Sequence, residues 1–314
     1  MEFKTPTFIR RSDTGMETNK RTVSILVSKL GSVTEKTRNE SLAELRYLTK
    51  HHPEIRLLVA ASGAIPCVSE CLYSSSHDAQ ENAAATLLNV SIATREELVS
   101  DANLLDAVSH LLRHHSSSSS PTAVQAAAAL IYSLLVVEDY RALIGSKRDI
   151  LYSLVDIIKF PKSPTRSIKD ALKALFLIAQ HQGNRGGLIG LGLVEALFGL
   201  VMRDGRKGIV EDATAVIAQV AGCEESESAF ARVSGGRVLA DLLETGLSLR
   251  IKENAIGALL NLARNGGGRV VEELAESDAM EGIVDVLEKG SEKGRMKGAA
   301  LLDAINGRQR HIAR

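Results

Sequence analysis

The chain has 314 residues, 45% of them hydrophobic, which is far too apolar for a disordered polypeptide. Lys plus Arg (38) balance Asp plus Glu (38), so no net charge steers it toward nucleic acid. Aromatics reach only 4%, with no Trp and six Pro, and the abundant Ala and Leu suit closely stacked helices better than a β-sandwich.

Residues 1–18, opening MEFKTPTFIRR, are polar and mixed in charge, hold no signal-peptide core, and are expected to be disordered. The first strongly helical segment is NESLAELRYLT at 39–49. GAIPCVSECL follows from Gly63, with Pro66 placed where a helix start tolerates its missing N–H. Its Cys67 and Cys71 share a face at i, i+4 and are expected in the core. Together with Cys223 they are too few for a disulfide framework, so a reducing compartment is expected, cytoplasmic, nuclear or both.

ENAAATLLNVS at 81–91 repeats the 39–49 pattern, and NLLDAVSHLL from Asn103 repeats the Gly63 segment. His110, His114 and His115 end that helix without the partners of a metal site and are expected at the surface. Next comes Ser116, Ser117, Ser118, Ser119 and Ser120, then Pro121: a flexible loop whose alternative reading is a phosphorylation site. QAAAALIYSLL at 125–135 lies in the longest apolar stretch, 123–137. At 15 residues, interrupted by Gln125, Tyr132 and Ser133, that stretch is short of a membrane span and reads as a buried helix.

DILYSLVDII from Asp149 precedes KDALKALFLIA at 169–179, and GLVEALFGLV from Gly192 precedes EDATAVIAQVA at 211–221. Gly186, Gly187, Gly190 and Gly192 lack the spacing of a phosphate loop and fit inter-helix turns. ENAIGALLNLA at 253–263 follows, then a turn at Gly266 to Gly268, then RMKGAALLDAI at 295–305. Residues 307–314 form a basic tail, expected to fray.

The ninth residues of the seven copies are Tyr47, Asn89, Ser133, Leu177, Gln219, Asn261 and Asp303, spaced by 42, 44, 44, 42, 42 and 42. A period in the low forties marks a helical repeat array. The third, seventh and tenth residues (Ala83, Leu87 and Val90; Ala171, Leu175 and Ile178; Ala255, Leu259 and Leu262) make a buried stripe at i, i+4, i+7. Each repeat therefore predicts a short helix, a sharp turn, a second helix and a longer third. The expected fold is an all-α, right-handed solenoid of about seven three-helix repeats over 19–306.

This pattern resembles armadillo repeats. The phrases SGAIPCVSECL, QENAAATLLNVS, HQGNRGGLIGLGLVEAL, TGLSLRIKENAIGALLNLA and EKGSEKGRMKGAALLDAI are similar in particular to the armadillo region of plant U-box ubiquitin ligases. The Cys-Pro-Ile start and Asp-Pro-Val element of a U-box are in none of these residues. Ligase activity would thus belong to a missing domain, and no catalytic site, metal site or cofactor is expected here.

The resemblance implies a concave groove lined by the third helices, with the ninth residues facing it. The candidate contacts are Glu81, Ala85 and Asn89; Gln125 and Ser133; Lys169 and Lys173; Glu211 and Gln219; Glu253 and Asn261. A groove Asn can both donate to and accept from an extended peptide backbone. Importin-alpha receptors pair that Asn with Trp, so the lack of Trp argues against classical nuclear-signal binding. The expected partner is a protein or peptide, with no nucleic acid and no membrane span, and the chain is expected to be a monomer. Two functions follow: substrate recruitment in a plant U-box ligase system, or a stand-alone signalling adaptor without a ubiquitin link. Since the ladder is read as exposed, Asn261→Ala is expected to shift stability by less than about 0.5 kcal/mol.

Overall fold

In the computed structural model the described residues are 10–244, 248–265, 274 and 279–312, and among them the regular structure is all helix. The chain divides into two units, Met1–Val136 and Val137–Arg314. Each is a stack of the helical repeats expected from the period, an all-α armadillo-type solenoid.

The first unit holds α1 (Arg10–Leu30), α2 (Glu35–His51), α3 (Pro53–Ala61), α4 (Ala64–Glu70), α5 (His77–Ser91), α6 (Glu96–Ser100), α7 (Leu104–Arg113) and α8 (Pro121–Leu135). Here α2, α5 and α8 are the third helices, packed side by side in that order. Their starts are set locally. Ser76 and Ser120 each accept from the backbone N–H three residues on, and Pro121 occupies the first turn of α8. The turn between α3 and α4 bends at Gly63, whose φ of 71° a side chain would strain.

The predicted stripe is the core: Ala83, Leu87 and Val90 are at most 1% exposed. Burying each large aliphatic side chain contributes roughly 1.5–3 kcal/mol. The expectation for the cysteines is corrected. Cys67 is exposed and Cys71 half-buried, because the short α4 turns Ala64, Ile65 and Val68 inward instead. Burial still pushes the Cys71 thiol up to about 11. Residues 10–18, expected to be disordered, belong to α1, whose buried positions Val23, Leu26 and Leu30 lie in its second half. Residues 1–9 lie outside the described ones.

The second unit holds α9 (Tyr140–Gly145), α10 (Arg148–Lys159), α11 (Thr165–Gln180), α12 (Arg185–Gly190), α13 (Leu193–Arg203), α14 (Lys207–Val220), α15 (Ser226–Arg232), α16 (Gly235–Glu244), α17 (Leu249–Arg264), α18 (Met280–Lys289) and α19 (Glu292–Ile312). Its third helices are α11, α14, α17 and α19, again successive neighbours. Ala171, Leu175, Ile178, Ala255 and Leu259 are fully buried. Gly192 makes the same left-handed turn as Gly63, at φ 76°. Before α16 that conformation falls on Ser234, at φ 50°. Gly235 is held to glycine by packing: a Cβ there would come within 3.0 Å of the rings of Phe198 and Phe230. The basic tail continues α19 as far as Ile312. The expected turn at Gly266 to Gly268 lies outside the described residues.

Candidate protein-binding face

The third helices bring the predicted contact residues to one face of each unit. Glu81, Ala85, Asn89, Gln125 and Ser133 share the first unit's face. Lys169, Lys173, Glu211, Gln219, Glu253 and Asn261 share the second's. All are half-buried except Lys173, which is exposed. The reason is the helical period: positions one, five and nine of each segment fall within a quarter-turn of each other and opposite the buried stripe.

The acidic members of this ladder have partners inside the stack. Glu81 accepts a 2.5 Å hydrogen bond from the Ser120 hydroxyl, at the start of α8. Glu211 accepts one of 2.6 Å from Ser248, which starts α17. Glu253 accepts from both the N–H and the hydroxyl of Ser291, just before α19, at 2.5 and 2.9 Å. Each carboxylate thus ties one third helix to the next and places negative charge at a helix N-terminus, where the dipole favours it. Lys169 departs from this pattern. The residue before α14 is Arg206, whose backbone N–H and side chain bond Asp204, and Arg206 holds that carboxyl below its usual range.

The amides are also engaged. Asn89 donates to the Thr49 hydroxyl at 3.2 Å, and Asn261 to the carbonyl of Ala218 at 3.0 Å. Ser133 accepts from Ser91 at 2.8 Å. An amide has two N–H donors and an acceptor oxygen, so one such bond uses only part of its capacity. Asn82 and Asn254, each one residue after a ladder acid, reach across the stack as well. Asn82 accepts from Arg46, and Asn254 donates to Thr214 and to the Glu211 carbonyl.

The sequence reading omitted part of the face. Position eight lies seven residues, nearly two turns, after position one, and so within about 20° of it. It carries Arg46, Leu88 and Tyr132 in the first unit and Phe176 in the second, where Ala218 and Leu260 at the same position are buried, and position twelve adds Ile92 and Val136. Tyr132, Ile92 and Val136 are 36, 56 and 51% exposed, and Tyr47 at position nine is 55% exposed. The signal was present as apolar residues off the buried stripe, but an apolar residue in a helix is assigned to the core by default.

Of the five serines in the loop before α8, Ser116, Ser117 and Ser118 are exposed. Ser119 is buried and donates to the Leu111 carbonyl, and Ser120 is buried in the cap. His77 meets the Ser118 carbonyl at 3.0 Å. The His110 ring packs between Tyr73 and His114, and burial lowers its pKa. The glycines set aside as a phosphate loop lie on α12 and beside it. There Gly183, Gly186, Gly187, Gly222, Glu224 and Glu225 border a 670 Å³ cleft at the turns between third and first helices. A Cβ on Gly186 would come within 2.7 Å of the Glu225 carboxylate.

Residues 22–307 match the family described as the plant U-box protein ARM repeat region. U-box domain-containing protein 16 of Arabidopsis thaliana is 30% identical over 293 residues, 91% of this chain and 41% of that protein. U-box domain-containing protein 17 of the same plant is 30% identical over 301 residues, 94% of this chain and 40% of the relative. The chain therefore spans about two fifths of the length of these curated relatives. Among solved structures, a chain from a study of a phosphorylation switch in the cadherin–beta-catenin interaction superposes with a TM-score of 0.74. It is 17% identical and covers 93% of this chain and 56% of that one. A designed armadillo repeat protein superposes with a TM-score of 0.51 at 19% identity, over 90% and 99% of the two chains. At these identities the likeness shows the fold alone. The family match runs through every copy of the repeat, and the chain belongs to the armadillo-repeat region family of plant U-box proteins.

Proposed function

We propose that this armadillo scaffold binds an extended segment of a partner protein along the third-helix ladder, and that it recruits substrates for a U-box type ubiquitin ligase. One observation carries the first part. Consecutive third helices present half-exposed amides, hydroxyls and apolar side chains in fixed register, beside a stripe that is fully buried. A repeated row of this kind offers backbone contacts at regular intervals along an extended chain. The named relatives support the ligase part: each is a U-box domain-containing protein, matched over nearly all of this chain.

The test uses the full chain. Random peptides selected on it should protect amides of the third helices from hydrogen exchange and leave the second helices unchanged. Protection confined to α7, α10 or α13 refutes the binding face. Fused to a U-box from a relative, the chain should direct ubiquitin to a reporter carrying a selected peptide at least tenfold faster than to the bare reporter. Equal rates refute the recruiting role.

A further inference from the structure

The formal charge on the second unit's ladder is mixed: Asp303 on α19 is exposed, and the other acids are engaged within the stack. Glu211 and Glu253 are bonded to serines of the next repeat. The Asp170 side chain is 17% exposed, whereas that of Lys173, 3.4 Å from it, is 45% exposed. Asp212 is half-buried, and burial raises its pKa against the pull of Lys169, Arg250 and Lys173.

Of the cations, Lys173 is exposed, and Lys169 and Lys297 are half-buried at the edge of the ladder. The Lys169 ammonium lies across the stack, 3.1 Å from where a Cβ of Gly208 on α14 would stand. The Lys297 ammonium lies 3.0 Å from the same point on Gly257 of α17, a ladder position where the missing side chain leaves room for it. Arg250 is exposed at the start of α17. Burial and Lys293 lower the pKa of Lys297 by more than the nearby Glu253 carboxylate raises it, and a partner's anion would add to the pull of Glu253. A partner approaching from solvent meets the exposed charges first, and carboxylates already hydrogen-bonded within the stack oppose it less.

We infer that the second unit's ladder receives an extended acidic segment of a partner protein, whose Asp and Glu side chains pair with Lys169, Lys173, Arg250 and Lys297. This rests on the ladder being the binding face. Helices packed about 8–10 Å apart put roughly 25–30 Å between α11 and α19, the reach of eight or nine extended residues. At positions one, five and nine the first unit has no Lys or Arg where the second has Lys169, Lys173 and Arg295, and the first unit's Arg46, at position eight, is bonded to Asn82, so the acidic specificity belongs to the second unit.

Fluorescence anisotropy on the full chain tests this with three labelled probes: a ten-residue Glu-Ser alternating peptide, its Lys-Ser counterpart, and a ten-nucleotide single-stranded oligothymidine. The Glu-Ser peptide should bind, and weaken at least fivefold between 50 and 300 mM salt. Lys173→Glu and Lys297→Glu should each weaken it at least fivefold further, and Lys173→Gln by less. Arg237→Glu, on the second helix α16, should change it less than twofold. Circular dichroism melts identify any variant that does not fold, and Lys173→Gln then carries the comparison. Four results overturn the inference: no binding of the Glu-Ser peptide at 50 mM salt, tighter binding of Lys-Ser, preference for the oligonucleotide, or indifference to the ladder substitutions. Selected peptides that protect the third helices without any acidic excess would overturn this inference alone and leave the binding face standing. Protection confined to the second helices would overturn both.

Discussion

Cutting the Glu81–Ser120 bond should loosen the junction between α5 and α8 by more than the loss of a cap alone. Ser120 is 1% exposed and, besides its carbonyl accepting from the Val124 N–H, makes three hydrogen bonds. Its hydroxyl donates to Glu81 at 2.5 Å and accepts from the Ala123 N–H at 3.4 Å, and its own N–H donates to Gln80 at 2.9 Å. Ser120→Ala removes the first two. Losing an N-cap costs about 0.5–2 kcal/mol. A hydrogen bond to a charged group is worth about 1.5–3 kcal/mol, toward the low end here because Glu81 is half-buried and regains water. The expected total is about 2 kcal/mol for Ser120→Ala and about 1–2 kcal/mol for Glu81→Ala. The double variant should fall short of the sum by about 1 kcal/mol, since the shared bond is lost only once. Urea denaturation followed by circular dichroism measures the three differences. Hydrogen exchange in the first turn of α8 locates them, because in a repeat stack each interface is felt mainly by its neighbours. Ser76→Ala is the control: it removes the equivalent cap of α5, whose hydroxyl accepts from Ala79. Additivity within about 0.3 kcal/mol would refute the view that the ladder acids hold successive repeats together.

Two further expectations concern the second unit. Asn261→Ala should cost about 1 kcal/mol in urea denaturation, more than its partly exposed position suggests, because the amide bonds the Ala218 carbonyl across the stack. A shift below about 0.3 kcal/mol would show that water replaces this bond without loss. Asp212→Asn should raise thermal stability at pH 7. Burial raises the folded pKa of Asp212 above its unfolded value, so its favourable contribution is complete only below the unfolded carboxylate range, near 4, and is lost as pH rises through the folded value. The gap between variant and wild type should therefore narrow from pH 7 toward pH 4. A less stable variant at pH 7 would mean that Lys169 and Arg250 outweigh burial.

The repeat was legible because burial is periodic. Ala83, Leu87 and Val90 mark one side of a helix, and the same spacing returns at Ala171 and Ala255, so register and helix order follow from the sequence. The turn glycines Gly63 and Gly192 were legible for a related reason, since few other residues tolerate that backbone. Cys67 was not. A seven-residue helix such as α4 is too short for its pattern to show which side is buried, and a small apolar residue fits either. The loop before α8 was half legible: the interruption was plain, but not the burial of Ser119 and Ser120 by contacts with Leu111 and Glu81.

The chemistry of the ladder was harder to read because its partners lie almost one period away. Glu81 and Ser120, Glu211 and Ser248, and Glu253 and Ser291 are each separated by 37 to 39 residues in sequence. They become pairs only when third helices stack in order, so a charge read on its own helix looks available to a partner. Within the second unit Lys169 breaks the series, and there the serine is also absent: Arg206 stands before α14 and takes its carboxylate from Asp204 instead. Within the second unit the acid and the serine are thus present together or absent together, whereas in the first Ser76 caps α5 with Asn39, not an acid, at position one of α2. Outside this exchange, the side chains that reach the surface of the face include Lys173 and Arg250 in the second unit and the apolar row of the first.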